Sequence, residues 1–166
     1  LHSQTPQILH RDIKPANLIR DPFSGSLTVV DFGLARSLEE QQSALHTSVG
    51  TLGYSALEQL TGSPEVRSDL YSLGVTLYEM VSGIRPTLAG VEPLTDKNWP
   101  GFDAGLSAIL QRAAHQDLKK RYASALEFRE ALQRWQKGLS VAPLPRPAGS
   151  RGKVGALLLL ALLGGG

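Results

Sequence analysis

One turn constrains this chain more than any other feature. The stretch DPFSGS, residues 21–26, supplies Asp21, Pro22 and Gly25 between two short β-forming runs, 18–20 and 27–30. That pattern predicts a hairpin centred near Ser24. Paired residues across an antiparallel hairpin keep a constant sum of residue numbers, here about 48. Asn17 and Asp31 satisfy that sum. The turn is therefore expected to bring an amide and a carboxylate together at the open end of a ribbon.

The residues leading into the hairpin sharpen the point. LHRDIKPANLIR, residues 9–20, sets His10, Arg11, Asp12, Lys14 and Asn17 among Leu9, Ile13, Leu18 and Ile19. A surface loop has no need of four aliphatic side chains. A core strand does not accept unpaired Arg, Asp and Lys. The aliphatic residues are expected to anchor the stretch so that its polar groups converge.

Composition narrows the chemistry. The chain has 166 residues, 42% hydrophobic and 19% charged, enough for one domain with a core. Its formal charge is only +2, which argues against a dedicated nucleic-acid binder. There is no cysteine, which excludes disulfides, thiolate zinc sites and a cysteine nucleophile. A metal here takes oxygen or imidazole ligands, and Mg²⁺ suits carboxylate and amide oxygens. No signal peptide is visible, and no internal repeat. The opening LHSQTPQI reads as part of something longer.

Residues 34–57 are polar and mixed, and are expected to form a long irregular segment. Residues 68–82, SDLYSLGVTLYEMVS, are apolar nearly all round, which predicts a buried helix closed by Gly83. Residues 84–102 are loop-rich. A helix is expected over 103–116, capped by Asp103, with Leu106, Ile109, Leu110 and Ala113 on one face. Another is expected over 124–136, with Ser124 and Glu127 as a capping box and Ala125, Phe128, Leu132 and Trp135 sharing a face. Tyr71, Trp99 and Trp135 read as core. The fold class is mainly α with a small β-hairpin, α+β overall. Residues 138–153 form a Pro/Gly linker with Arg146, Arg151 and Lys153. Residues 154–166, VGALLLLALLGGG, read as the start of a transmembrane helix, which needs about 20 apolar residues. The basic residues before it place the globular part in the cytoplasm.

His10-Arg11-Asp12, then four residues and Asn17, with Asp31-Phe32-Gly33 beyond the hairpin, form a joint motif of high specificity. Over residues 1–137 the sequence resembles the C-terminal lobe of a serine/threonine protein kinase of bacterial type. The resemblance implies ATP and Mg²⁺ as cofactors and Ser/Thr-bearing proteins as substrates. It makes Asp12 the group that accepts or orients the proton of the attacking hydroxyl, and Lys14 the contact to the transferring phosphate. Asn17 and Asp31 would hold the metal. His10 would be a scaffold under the loop. Arg11 would receive a phosphate on the activation segment, at Thr47 or Ser48, with a second copy as a possible trans-autophosphorylation partner.

VGTLGYSALEQ resembles the close of that family's activation segment. Thr51 then matches the Thr that touches the catalytic Asp and Lys. Glu58 matches the terminal Glu, and Arg121 its partner. Asp69 matches an Asp that receives backbone N–H groups from the catalytic loop. Leu57 stands where the family has Pro, a departure that bears on the rigidity of the turn. No Gly-rich phosphate loop, strand Lys or helix Glu of an N-terminal lobe occurs in these residues. The 166 residues alone are therefore expected to turn over no ATP. Two other classes stay open: a pseudokinase-like scaffold, and a small-molecule phosphotransferase with a related lobe.

Overall fold

The computed structural model describes residues 1–32, 35–37, 51–87, 89–95, 97–99, 101 and 103–139. The hairpin forms where its turn residues dictate. Strand β2 (Leu18–Arg20) pairs antiparallel with β3 (Leu27–Val29). The Asp21 carboxylate accepts from the Phe23 N–H and the Ser24 hydroxyl, each at 2.8 Å. Gly25 takes φ 73°, in the left-handed region that disfavours a Cβ.

The register is Leu18↔Val29, Ile19↔Thr28 and Arg20↔Leu27, one position short of the expected pairing. The loop runs from 21 to 26, so its centre falls between Phe23 and Ser24, not on Ser24. Asn17 consequently faces Val30, whose N–H donates to the Asn17 carbonyl at 2.9 Å. Asp31 stands one residue past the ladder, with φ 63°.

The expected anchors are only partly right. Leu9 is fully buried, Ile13 and Leu18 are half-buried, and Ile19 is 56% exposed. Strand alternation explains Ile19, because adjacent residues of a strand point to opposite faces. Leu18 and Ile19 cannot both anchor a two-stranded ribbon. The polar residues Arg11, Asp12 and Asn17 are the more buried ones.

A second small sheet was not foreseen. Strand β1 (Ile8–Leu9) pairs antiparallel with β4 (Arg36–Ser37), inside the segment expected to be irregular. Two-residue strands carry no periodicity for a sequence to show. The same segment ends in a short helix, α1 (Leu57–Leu60). Leu57 is the first residue of that helix and is exposed. A proline is tolerated at such a position because the N–H there has no intrahelical partner.

Helix α2 (Val66–Ser82) begins before the expected residue 68, because the Glu65 N–H donates to Ser68 Oγ at 3.0 Å and closes the first turn. Asp69 lies in the first turn of the helix. Gly83 ends α2 at φ 72°. Helix α3 (Ala104–Ala113) is capped by Asp103, which accepts from the Leu106 N–H at 2.9 Å, and stops short of 116. Helix α4 (Ala125–Gln136) is capped by Ser124 Oγ, which accepts from the Glu127 N–H at 3.2 Å. The reciprocal half of the box differs: the Glu127 carboxylate accepts from the Ala123 N–H and from Arg112. Phe128, Ala131 and Leu132 form the buried face of α4. Ala125, in the first turn, is exposed.

The core joins α2, α3 and α4. Leu70, Leu77 and Tyr78 pack with Leu106, Ile109, Leu110, Phe128 and Leu132, and the 84–102 loop adds Leu94 and Trp99. Trp135 packs against this cluster and donates Nε1–H to the Asp103 carboxylate at 2.8 Å. At the α2–α3 crossing, a Cβ on Gly74 would lie 2.5 Å from the Ala113 Cβ and 3.1 Å from backbone atoms of Ala113 and Ala114. Gly74→Ala is expected to destabilise the protein by about 1–3 kcal/mol through overpacking. Chemical denaturation measures it; a stability equal to wild type would mean the crossing is looser than these distances.

Gly33, Thr47, Ser48, and the linker and apolar tail from residue 140 onward lie outside the described residues. Among the described residues no helix is long and apolar enough to cross a membrane.

Candidate active site

The site is assembled where the loop after β1 meets the hairpin and the residues before α1. A 3-10 turn, Pro15–Asn17, folds the chain back so that Asn17 reaches Asp12. The Asn17 amide donates to the Asp12 carbonyl at 2.8 Å and to Asp12 Oδ2 at 3.0 Å. Lys14 Nζ lies 2.7 Å from Asp12 Oδ2 and 2.9 Å from Thr51 Oγ1. Thr51 Oγ1 donates to Asp12 Oδ1 at 2.8 Å. Asp12, Lys14, Asn17 and Thr51 thus form one connected group.

Burial pushes the Asp12 carboxyl up. Hydrogen bonds from Lys14, Thr51 and Asn17, with the Lys14 charge, outweigh burial and hold the carboxyl below its ordinary range. Such a carboxylate is ionised at neutral pH and well suited to orient a hydroxyl. As a proton acceptor it is weak until the proton is already leaving.

His10 is fully buried, and both ring nitrogens face the backbone. Nε2 lies 3.2 Å from the Val30 carbonyl, and Nδ1 lies 3.4 Å from the Asp12 N–H. One neutral tautomer satisfies both contacts, with Nε2 donating and Nδ1 accepting. Its ring also packs against Phe32, centroids 4.9 Å apart. This geometry suits a scaffold and leaves neither nitrogen turned to an acceptor hydroxyl.

Asp69 supports the loop from α2. Its carboxylate accepts from the His10 N–H at 2.8 Å and the Arg11 N–H at 2.9 Å. His2 Nε2 lies 2.8 Å from the same Oδ2 that His10 uses. Arg11 is buried and has φ 69°, unfavourable for a residue with a Cβ, so its conformation depends on these partners.

Glu58 and Arg121 form a second constellation. Arg121 Nη1 and Nη2 reach the two Glu58 oxygens at 2.6 and 3.1 Å. The remaining guanidinium N–H groups donate to the carbonyls of His115, Arg67 and Gln116. All five donors of the guanidinium are used, and the group also lies 4.8 Å from the Tyr71 ring centroid. Ser68 Oγ donates to Glu58 at 2.7 Å.

Burial raises the Glu58 carboxyl, and the Arg121 and Ser68 hydrogen bonds more than reverse this, so its pKa falls below the ordinary 4.5. A carboxyl depressed on folding stabilises above its unfolded pKa and loses that contribution as pH falls through the folded value. Stability is therefore expected to drop below about pH 4.5. Glu58→Gln should flatten that drop in urea titrations at pH 3 to 6. An unchanged acid slope would contradict it.

The sequence reading missed Gln59, His2 and Ser68. Gln59 and Ser68 stand in stretches the sequence reading quoted, but the contacts of all three side chains depend on the tertiary fold and nothing in their spacing marks them. Asn17 and Asp31 sit at the same end of the ribbon. Among the described residues no cluster of three or more His, Cys, Asp or Glu could hold a metal. The donor set available is an amide oxygen and a carboxylate. The Asn17 nitrogen is committed to Asp12, which reserves its oxygen for another ligand. That chemistry fits Mg²⁺ shared with phosphate oxygens.

Asp12, Lys14, Asn17 and Thr51 thus meet beside a small hairpin in a mainly helical fold. The protein kinase domain family matches residues 1–133, and the chain belongs to that family. It is 33% identical over 147 residues to serine/threonine-protein kinase PknB of Mycobacterium leprae (strain TN), covering 79% of this chain and 23% of that protein. It is 34% identical over 154 residues to the probable serine/threonine-protein kinase PknB of Bifidobacterium longum (strain NCC 2705), covering 82% and 22%. Serine/threonine-protein kinase PknJ of Mycobacterium tuberculosis (strain ATCC 25618 / H37Rv) is 34% identical over 143 residues, covering 75% and 24%. The chain thus spans less than a quarter of the length of these relatives.

Proposed function

We propose that this chain is the C-terminal lobe of a serine/threonine protein kinase that transfers the γ-phosphate of ATP to Ser or Thr hydroxyls of proteins. The observation that carries the reading is the Asp12–Lys14–Thr51 group, closed by hydrogen bonds of 2.7 to 2.9 Å. Asp12 orients the acceptor hydroxyl, whose oxygen forms the new bond to phosphorus as the bond to ADP breaks. The hydroxyl proton passes to Asp12 late, in keeping with its lowered pKa. Lys14 offsets charge on the phosphoryl oxygens, and Thr51 holds Lys14 and Asp12 in register. Bound Mg²⁺ supplies charge neutralisation to the phosphates, and Asn17 and Asp31 are the residues that would hold it.

Arg11 would pair with a phosphate at Thr47 or Ser48, a reading that rests on the resemblance. Membrane anchoring rests on the composition of residues 154–166. The scaffold alternative gains little from Leu57, because that position opens α1 without disturbing the Glu58–Arg121 pair.

The test is the Mg²⁺ dependence of phosphate transfer from ATP to a Ser/Thr peptide by the full-length protein. Asp31→Asn should need at least about tenfold more Mg²⁺ or lose transfer, since it removes a hard anionic ligand. An unchanged Mg²⁺ dependence would reject Asp31 as a ligand. Absence of transfer in the wild type would favour the scaffold.

A further inference from the structure

Gln59 Nε2 donates to the Arg11 carbonyl at 2.6 Å. We propose that Gln59 is a positioning residue of the catalytic loop: it fixes the Arg11–Asp12 peptide from the carbonyl side and so aims the Asp12 carboxylate. The inference rests on the reading of Asp12 as the residue at the reacting hydroxyl.

Arg11 occupies the left-handed region, which a residue with a Cβ adopts only where its surroundings impose it. Two side chains do so here. Asp69 Oδ1 accepts its N–H at 2.9 Å, and Gln59 donates to its C=O. One residue is thus held at both ends by groups from different helices, α2 and α1. Gln59 is fully buried, so water competes little for either side of its bond. Its neighbour Glu58 is gripped by Arg121, which fixes the helix that carries the donor.

The contacts also close a ring. Gln59 Nε2 lies 3.4 Å from Ser55 Oγ, which donates to the Thr51 carbonyl at 3.1 Å. Thr51 Oγ1 donates to Asp12 Oδ1, and Asp12 follows Arg11 in the chain. The carboxylate is therefore reached from its side chain through Thr51 and from its backbone through Gln59. Rotation of Asp12 away from the acceptor breaks the ring at one of these two points.

Gln59→Met keeps the length of the side chain and removes the donor. Hydrogen-exchange mass spectrometry on the full-length protein compares residues 9–14 with residues 70–80 of α2. The donor bond is the kind whose loss speeds local opening by roughly 10- to 100-fold. Exchange over 9–14 is expected to rise by that factor while 70–80 stays at the wild-type rate. In steady-state kinetics kcat should fall about tenfold or more, with KM for ATP and for peptide within about twofold. A uniform rise across both segments would mark Gln59 as ordinary packing and overturn the proposal, as would unchanged exchange over 9–14. If Gln59→Met does not fold, Gln59→Leu, which is shorter and carries no donor, is read by the same criteria. A wild type without phosphate transfer would count against the kinase reading, and the exchange comparison would still decide the role of Gln59.

Discussion

Asp12→Asn is expected to lower phosphate transfer by roughly 10²–10⁴-fold, the range for removing a positioned general acid or base. The change is nearly isosteric, so the loss is one of charge and acceptor capacity. Asp12 Oδ2 now receives Lys14 at 2.7 Å and the Asn17 amide at 3.0 Å. An Asn nitrogen placed there would set a donor against two donors. An Asn oxygen placed there would turn the nitrogen toward Thr51, whose hydroxyl would have to turn its proton away and give up its donation to residue 12. Either orientation leaves the acceptor hydroxyl without an anionic partner. The core cluster of α2, α3 and α4 contains none of these residues, so the variant should remain folded. Steady-state kinetics together with a thermal melt measure both. A variant that keeps more than about a tenth of wild-type transfer would remove Asp12 from the proposed chemistry.

Arg121→Ala is expected to cost about 3–5 kcal/mol of stability, the range for breaking one side of a buried ion pair. Its side chain is fully buried, and its five donors serve the Glu58 carboxylate and three backbone carbonyls. Removing it leaves Glu58 in a site built for its ionised form and strips partners from Arg67, His115 and Gln116. Those three lie at the start of α2 and in the connection after α3. The loss should therefore spread from α1 to the α2–α3 crossing. Urea denaturation measures it, and a midpoint equal to wild type would show that the pair contributes nothing net. Arg121→Lys should recover only a small part, because an ammonium cannot reproduce the bidentate fork.

Features that depend on neighbours in sequence were legible. Asp103 and Ser124 cap their helices and Gly83 ends α2, because a cap needs only the first or last turn. The hairpin was legible for the same reason, and its register slipped by one because the turn centre was placed on Ser24. The β1–β4 pair was not legible, since two-residue strands show no alternation. The roles of the candidate-site residues came from resemblance to a family, and spacing placed only Asn17 and Asp31 at one end of the ribbon. Lys14 and Asn17 meet Asp12 within one loop, but the contacts to Thr51, Asp69 and Gln59 could not have been derived, because each joins elements that only the tertiary fold brings together. Gln59 is the clearest case. Its partner is a carbonyl whose direction follows from the left-handed φ of Arg11, and nothing in the sequence marks that angle. The exposure of Ile19 and the burial of Asp12 and Asn17 invert the simple expectation that aliphatic residues lie inside and polar ones outside.

The most direct measurement is phosphate transfer from γ-labelled ATP with Mg²⁺ by the full-length protein, offered protein acceptors and followed by phosphoamino-acid analysis. The expected result is label on phosphoserine or phosphothreonine, lost in Asp12→Asn and on chelation of the metal. Label on phosphotyrosine, label on a small molecule alone, or no transfer at all would contradict the assignment of this loop to a serine/threonine protein kinase.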